Sequence, residues 1–182
     1  CDMKVNRTEK ITFRCITSTD LCDLCKVNVD VLNKLFKKEI EENQIQIHIE
    51  CPEKPVMAEI NIEQMNKALG SILKNSIYAL LRKLQKQSFS PFITIKLEER
   101  GNNTVFISIY DNGIGIEDSI KDKIFEPFFT TKPSAEAAGV GLYLCREVIL
   151  NHQGSILAKS EKDSYTEFLI TIPISQKRIN NE

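Results

Sequence analysis

Apolar positions along this chain alternate between two spacings, and each change of spacing marks a predicted element. After Asp20, Leu21, Leu24, Val31, Leu35 and the row Leu32–Phe36–Ile40 recur at helical intervals, so a helix is predicted over about 21–42 with Asp20 as its N-cap. Ile45, Ile47 and Ile49 then alternate with Gln46, His48 and Glu50, which predicts a half-buried strand with His48 facing solvent. Cys51-Pro52-Glu53-Lys54-Pro55 reads as a turn. Asn61 followed by Gln64 has the form of a capping box. Met65, Ala68, Leu69, Ile72, Leu73, Ser76, Ile77 and Leu80 give one long helical face, predicting a helix to about Lys86. Two alternating runs follow, Ile93–Ile95–Leu97 and Val105–Ile107–Ile109, with Gly101-Asn102-Asn103 between them as a hairpin turn. Residues 117–138 carry few regular signals. A helix over about 141–152 and strands near 154–160 and 166–174 close the chain, the last with Phe168, Ile170, Ile172 and Ile174 on one face. Residues 11–17 predict a short strand ahead of all of these.

Helices and strands in this order do not make strict βαβ alternation. They predict an α+β fold, a two-layer sandwich whose mixed, mostly antiparallel sheet is covered on one face by helices. A length of 182 residues suits one domain. We divide the chain into a lead-in segment 1–19, a domain 20–176 and a polar tail 177–182. Hydrophobic residues at 42% suffice for a core, and 24 basic against 25 acidic residues leave a net charge of −1. That balance advertises neither nucleic acid nor direct membrane contact, and no apolar run approaches the roughly 20 residues of a membrane helix. No signal peptide is visible; a start at Cys1 reads as an excised domain or as a lipid-modified mature N-terminus. Of six cysteines, at 1, 15, 22, 25, 51 and 145, only Cys22 and Cys25 are close. A single C-x-x-C is a weak metal signal, so free thiols sharing a helix face are expected.

Four segments carry candidate chemistry. DNGIGI, residues 111–116, puts the Asp111 carboxylate at a strand end beside Gly113 and Gly115. It suits either an exocyclic amine on a flat ring or an ordinary D-N-G turn. Asn75 stands among apolar neighbours on the long helix; its amide oxygen suits magnesium, or the residue is a surface Asn beside Lys74. GVGLYL, residues 139–144, opens the next helix with two glycines, where free amides and the helix dipole favour phosphate. IFEPFFTTK, residues 124–132, offers an aromatic cluster of Phe125, Phe128 and Phe129, with Lys132 able to reach a phosphate as a point charge. Read plainly, the same segment is a core plug with a solvated lysine.

In this order, the four segments resemble the ATP-binding domain of bacterial sensor histidine kinases, within the Bergerat-fold ATPase and kinase superfamily. ILKNSIYAL resembles the N box, DNGIGI the first glycine box, IFEPFFTTK the F box of the nitrogen-sensor-like subgroup, and GVGLYL the second glycine box. YTEFLITIPI resembles the closing strand, in which Thr166 lies near the nucleotide. The resemblance implies that Asp111 reads the adenine amine and that Asn75 holds a magnesium ion. It implies that Gly113 and Gly115 let adenine and ribose dock, and that residues 133–138 form a lid. Gly139, Val140, Gly141, Leu142 and Lys132 would then meet the phosphates. It implies ATP and magnesium as cofactors. As partners it implies a histidine-bearing dimerisation domain absent from this chain, and a response regulator. A cytoplasmic location is implied too, even for a membrane-anchored parent.

Four positions depart from the pattern. Ser71, four residues before Asn75, stands where hydrolases of this superfamily carry the glutamate that activates water, so a kinase-type site is favoured over a hydrolase. Tyr78 replaces a charged residue near the phosphates, Tyr143 replaces a glycine of the second glycine box, and Tyr165 replaces a common glycine before the last strand. Neither histidine, His48 or His152, has the context of a phosphoacceptor. The competing expectation is a degenerate, non-catalytic nucleotide-binding or interaction module.

Overall fold

The structure is a computed structural model and describes residues 16–101, 103–133 and 138–174. Five strands form the main sheet: β2 (Gln46–Glu50), β4 (Phe92–Arg100), β5 (Thr104–Asp111), β6 (Ser155–Glu161) and β7 (Tyr165–Pro173), in spatial order β2-β4-β5-β7-β6. β2 and β4 are parallel, and every other neighbouring pair is antiparallel. Helices α1 (Leu21–Leu35), α3 (Ile62–Leu84) and α4 (Gly141–Asn151) pack on one face. The expected two-layer α+β sandwich is therefore present. Its core is the row of inward positions that alternation predicted: Ile93, Ile95, Leu97, Val105, Ile107, Ile109, Phe168, Ile170 and Ile172, all buried against Leu69, Ile72, Leu73, Ile77 and Leu80 of α3.

The helix expected over 21–42 is two helices. The α geometry breaks at Phe36, with φ −117° and ψ 30°, and a six-residue helix α2 (Lys37–Glu42) follows. Asp20 does cap α1: its Oδ1 accepts from the Cys22 amide at 3.0 Å. A strand that the sequence pattern did not predict, β3 (Met57–Ile60), pairs antiparallel with β1 (Thr17–Asp20) in a separate two-stranded sheet. Most of the strand expected at 11–17 lies outside the described residues, as do the 177–182 tail, Cys1 and Cys15. His48 is exposed on β2, as the alternation predicted.

The capping box at Asn61 is only half formed. Asn61 Oδ1 accepts from the Gln64 amide at 2.9 Å, but the return bond is made by another residue. The Asn61 amide donates to His152 Nε2 at 2.9 Å, and the other ring nitrogen, Nδ1, lies 2.7 Å from the Val148 carbonyl. With Nε2 accepting, the proton belongs on Nδ1. His152 thus ties the end of α4 to the start of α3, and Gln64 Oε1 is left buried without a partner among the described residues. On the open face of the sheet, Phe92, Tyr110 and Tyr165 stack across β4, β5 and β7 with centroids 5.7 and 5.4 Å apart. That ladder gives the residue at 165 a packing reason to be aromatic.

Candidate functional site

Asp111 is the last residue of β5 and continues the inward row Val105–Ile107–Ile109, so the pleat delivers a carboxylate to the covered face. Its neighbours in register are Ile93 on β4 and Thr166 on β7, and Ser160 on β6 pairs with Thr166. The sheet therefore ends in a polar row, Asp111–Thr166–Ser160, under the C-terminal half of α3. Ser160 Oγ accepts from the Ile116 amide at 2.8 Å and lies 3.1 Å from Thr166 Oγ1, which anchors the glycine segment to β6.

Asp111 is 1% exposed, and burial pushes its carboxyl up from 3.8 to about 7. Three groups oppose that rise. The buried Ser76 hydroxyl, which has no hydrogen-bond partner of good geometry among the described residues, faces the carboxylate; the Gly113 amide donates to Oδ1 at 3.0 Å; and Lys83 lends positive charge. Lys83 is itself 7% exposed. Its Nζ donates to the carbonyls of Asn112 (2.8 Å) and Ser164 (3.2 Å) and lies 4.8 Å from the Phe89 ring centroid, bracing the glycine segment against the β6–β7 turn.

Asp111 opens onto a cavity of about 620 Å³ between α3, the glycine segment and the start of α4. Nine of the ten sequence-predicted residues line it: Asn75, Asp111, Gly115, Lys132, Gly139, Val140, Gly141, Leu142 and Thr166. Gly113 does not; it lies behind Asp111, where a Cβ would come within 2.7 Å of the Ala79 side chain. The other glycines also answer to the protein's own packing. Gly115 has φ +68°, and a Cβ there would lie 2.0 Å from the Glu161 carbonyl oxygen. Gly139 has φ +72° against the Phe128 backbone, and Gly141 abuts the Ser71 hydroxyl. They hold the rim of the cavity closed rather than leave gaps in it.

At the far end α4 begins with Val140 in the N-cap position, with no side-chain cap and no acidic residue in the first turn. Its amides and the positive end of its dipole are thus available to an anion. Lys132 Nζ donates to Asn75 Oδ1 at 2.7 Å and lies over the Tyr78 ring. The aromatic cluster expected in IFEPFFTTK is split. Phe125 packs edge-on against Phe168, and Phe129 lines the cavity, but Phe128 is 78% exposed at φ +66°. Of the expected lid 133–138, residues 134–137 lie outside the described residues.

Sequence reasoning missed Arg82, Lys86 and Lys162, basic residues that line the same cavity. The first two were within reach: 75, 78/79 and 82 follow helical spacing on the α3 face that carries Asn75, and Lys86 continues that spacing in the turn just past the helix end. Lys162 enters from the β6–β7 turn, which no local pattern places there. The CDLC thiols play no part in the cavity. Both are buried on α1, Cys25 pushed up to about 12 by desolvation and Cys22 higher still, the opposite of a reactive thiolate. Among the described residues no cluster of His, Cys, Asp or Glu could hold a metal ion, and no helix is long and apolar enough to cross a membrane.

Residues 60–176 match the family described as histidine kinase-, DNA gyrase B-, and HSP90-like ATPase. The chain is 32% identical over 157 residues to sporulation kinase E of Bacillus subtilis, covering 85% of this chain and 20% of that protein. It is 36% identical over 113 residues to the signal transduction histidine-protein kinase AtoS of Escherichia coli, covering 62% of this chain and 17% of that one. Among solved structures, a nucleotide-free catalytic domain of histidine kinase ThkA superposes with a TM-score of 0.71 at 26% identity, covering 88% of this chain and 96% of that one. The chain thus spans about a fifth of these two curated relatives, yet matches nearly the whole of a separate catalytic domain.

Proposed function

Because this chain belongs to the family of histidine kinase-, DNA gyrase B-, and HSP90-like ATPases, we propose that residues 20–176 are the ATP-binding catalytic domain of a sensor histidine kinase, between a lead-in 1–19 and a tail 177–182. The domain would transfer the γ-phosphoryl group of ATP to a histidine on a dimerisation domain outside this chain, for onward passage to a response regulator. One observation carries the reading: a buried carboxylate, an amide oxygen and an uncapped helix N-terminus line one cavity of about 620 Å³.

Asp111 at the closed end accepts from the exocyclic amine of adenine, and the Ser76 hydroxyl beside it is a spare donor or acceptor for the ring edge. Ile114, Ile116 and Phe129 supply apolar walls for a flat base. Thr166 lies next to Asp111 in the sheet and fixes the base through its hydroxyl. The amides of Gly139, Val140, Gly141 and Leu142 receive phosphate oxygens, and Lys132, Arg82 and Lys86 add positive charge. Asn75 would hold magnesium, and the ion would supply positive charge to offset that of the phosphates during transfer. The Asn75 amide oxygen is a hard donor of the kind that ion takes, and among the described residues no cluster of carboxylates offers it a competing site. Ser71 has no basicity with which to activate water, which favours phosphoryl transfer over hydrolysis. The engagement of His152 Nε2 by the Asn61 amide supports an acceptor outside this chain.

The test is a phosphotransfer assay on this domain joined to the helical dimerisation segment of its parent, with labelled ATP. Labelled histidine in the segment, lost in Asn75→Asp and Asp111→Asn, is expected. Tight ATP binding with no label on any histidine would instead make the chain a non-catalytic nucleotide-binding module.

A further inference from the structure

Lys132 has two partners on one face of α3. Its Nζ donates to Asn75 Oδ1 at 2.7 Å and lies 4.3 Å from the centroid of the Tyr78 ring. Asn75 and Tyr78 are three residues apart in the helix, so both point at the same space. The Asn75 oxygen is the atom assigned above to magnesium, and the group against it is also a cation. An ammonium and a divalent ion cannot share one carbonyl at contact distance without strong repulsion. A ring face attracts an ammonium without consuming its N–H donors, and the Lys132 ammonium already lies against this one, so Tyr78 can keep it on the wall of the phosphate end when the Asn75 contact is given up.

Building on the nucleotide-site reading, we propose that Lys132 is an internal counter-cation: its ammonium holds the Asn75 carbonyl and yields it to magnesium, and the Tyr78 ring keeps the displaced ammonium beside the phosphates. Lys132 is then a positioning residue that makes nucleotide binding tolerant of magnesium scarcity. The departure at position 78 gains a role: the charge that relatives carry on this helix comes here from the 124–132 segment and is docked by an aromatic ring. No bond is made or broken in the exchange. Lys132 keeps its proton and moves by side-chain rotation.

The prediction concerns a ratio. With magnesium absent, Lys132 is the cation between Asn75 and the phosphates. With magnesium present, Lys132 competes for Asn75. Removing the ammonium weakens metal-free binding and relieves the competition, so the two effects push the ratio of dissociation constants, metal-free over magnesium-loaded, in the same direction. The experiment is a calorimetric titration of the full chain with a non-hydrolysable ATP analogue, in excess EDTA and in excess magnesium. Lys132→Met should raise the ratio about tenfold, the scale of one charge-assisted hydrogen bond. Tyr78→Leu, which removes the place that keeps the displaced ammonium near the phosphates, should weaken magnesium-loaded binding and lower the ratio, and Lys132→Arg and Tyr78→Phe, which keep the charge and the ring, should leave it unchanged. Equal weakening in both conditions would overturn the exchange while leaving the nucleotide site intact. No analogue binding by the unaltered chain in either condition would overturn both.

Discussion

Substituting Asp111 with Asn separates the cost of the site from its use. Burial lifts this carboxyl from 3.8 to about 7 in the folded protein. Between those two values the folded state keeps its proton while the unfolded chain has released it. Stability therefore falls as pH rises through that window, and the full penalty stands above pH 7. The distance from 3.8 to about 7 corresponds to about 4 kcal/mol. The substituted side chain carries no ionisation, and its amide oxygen still accepts from the Gly113 amide. Asp111→Asn should thus be more stable than the unaltered protein by about 2–4 kcal/mol at pH 8, the gain fading towards zero near pH 4. Other carboxylates titrate equally in both proteins and drop out of the difference. Nucleotide affinity should move the other way. Losing a charged acceptor for the adenine amine costs about 1.5–3 kcal/mol, or roughly tenfold to a hundredfold in Kd. Urea unfolding at pH 4, 6 and 8, with calorimetric titration of an ATP analogue, measures both. A stability difference that does not change with pH would refute the burial cost, and unchanged affinity would refute the contact with the base.

Three further outcomes are expected. Gly115→Ala should lose about 2–4 kcal/mol by urea unfolding and bind nucleotide poorly, because it combines a φ of +68° with a Cβ 2.0 Å from the Glu161 carbonyl; a loss below about 1 kcal/mol would mean that the rim can yield. His152→Ala should cost about 1–3 kcal/mol by leaving the buried Asn61 amide unpaired, and His152→Gln should recover part of it; thermal denaturation reads both, and two neutral substitutions would show that the tie is idle. Phe128→Ser should leave stability within about 0.5 kcal/mol, since the ring is 78% exposed, and a larger loss in a melting curve would count against that placement.

The parts of the fold that follow local rules were legible. Asp111 could be placed on the covered face from alternation alone, because Val105, Ile107 and Ile109 fix the pleat's phase. Asn61 was legible as a cap because its acceptor serves an amide three residues away. What escaped depends on distant contacts or on short segments. β3 has four residues, Met57–Ile60, too few for a period to stand out, and it is a strand because β1 pairs with it. The break at Phe36 interrupts an apolar row that continues unbroken in sequence, so periodicity carried the predicted helix straight through it. The His152 bond joins residues 91 apart in sequence, and only packing of α4 on α3 brings them together. The glycines were the subtlest case. Their spacing pointed to a ligand, and they do surround the cavity, but the space each Cβ would fill is taken by Ala79, Glu161, Phe128 or Ser71.

The aromatic ladder on the open face has an optical consequence. The chain has no tryptophan and four tyrosines, so tyrosine dominates its near-ultraviolet emission. Tyr78 lines the cavity, Tyr110 precedes Asp111, Tyr143 follows Leu142 and Tyr165 precedes Thr166. Every tyrosine emitter is therefore in the cavity wall or one peptide unit from a residue that lines it. Two of the four stack on each other at 5.4 Å, close enough for their transitions to couple. The protein thus carries its own reporter, and intrinsic emission or near-ultraviolet dichroism should follow ligand arrival without any label.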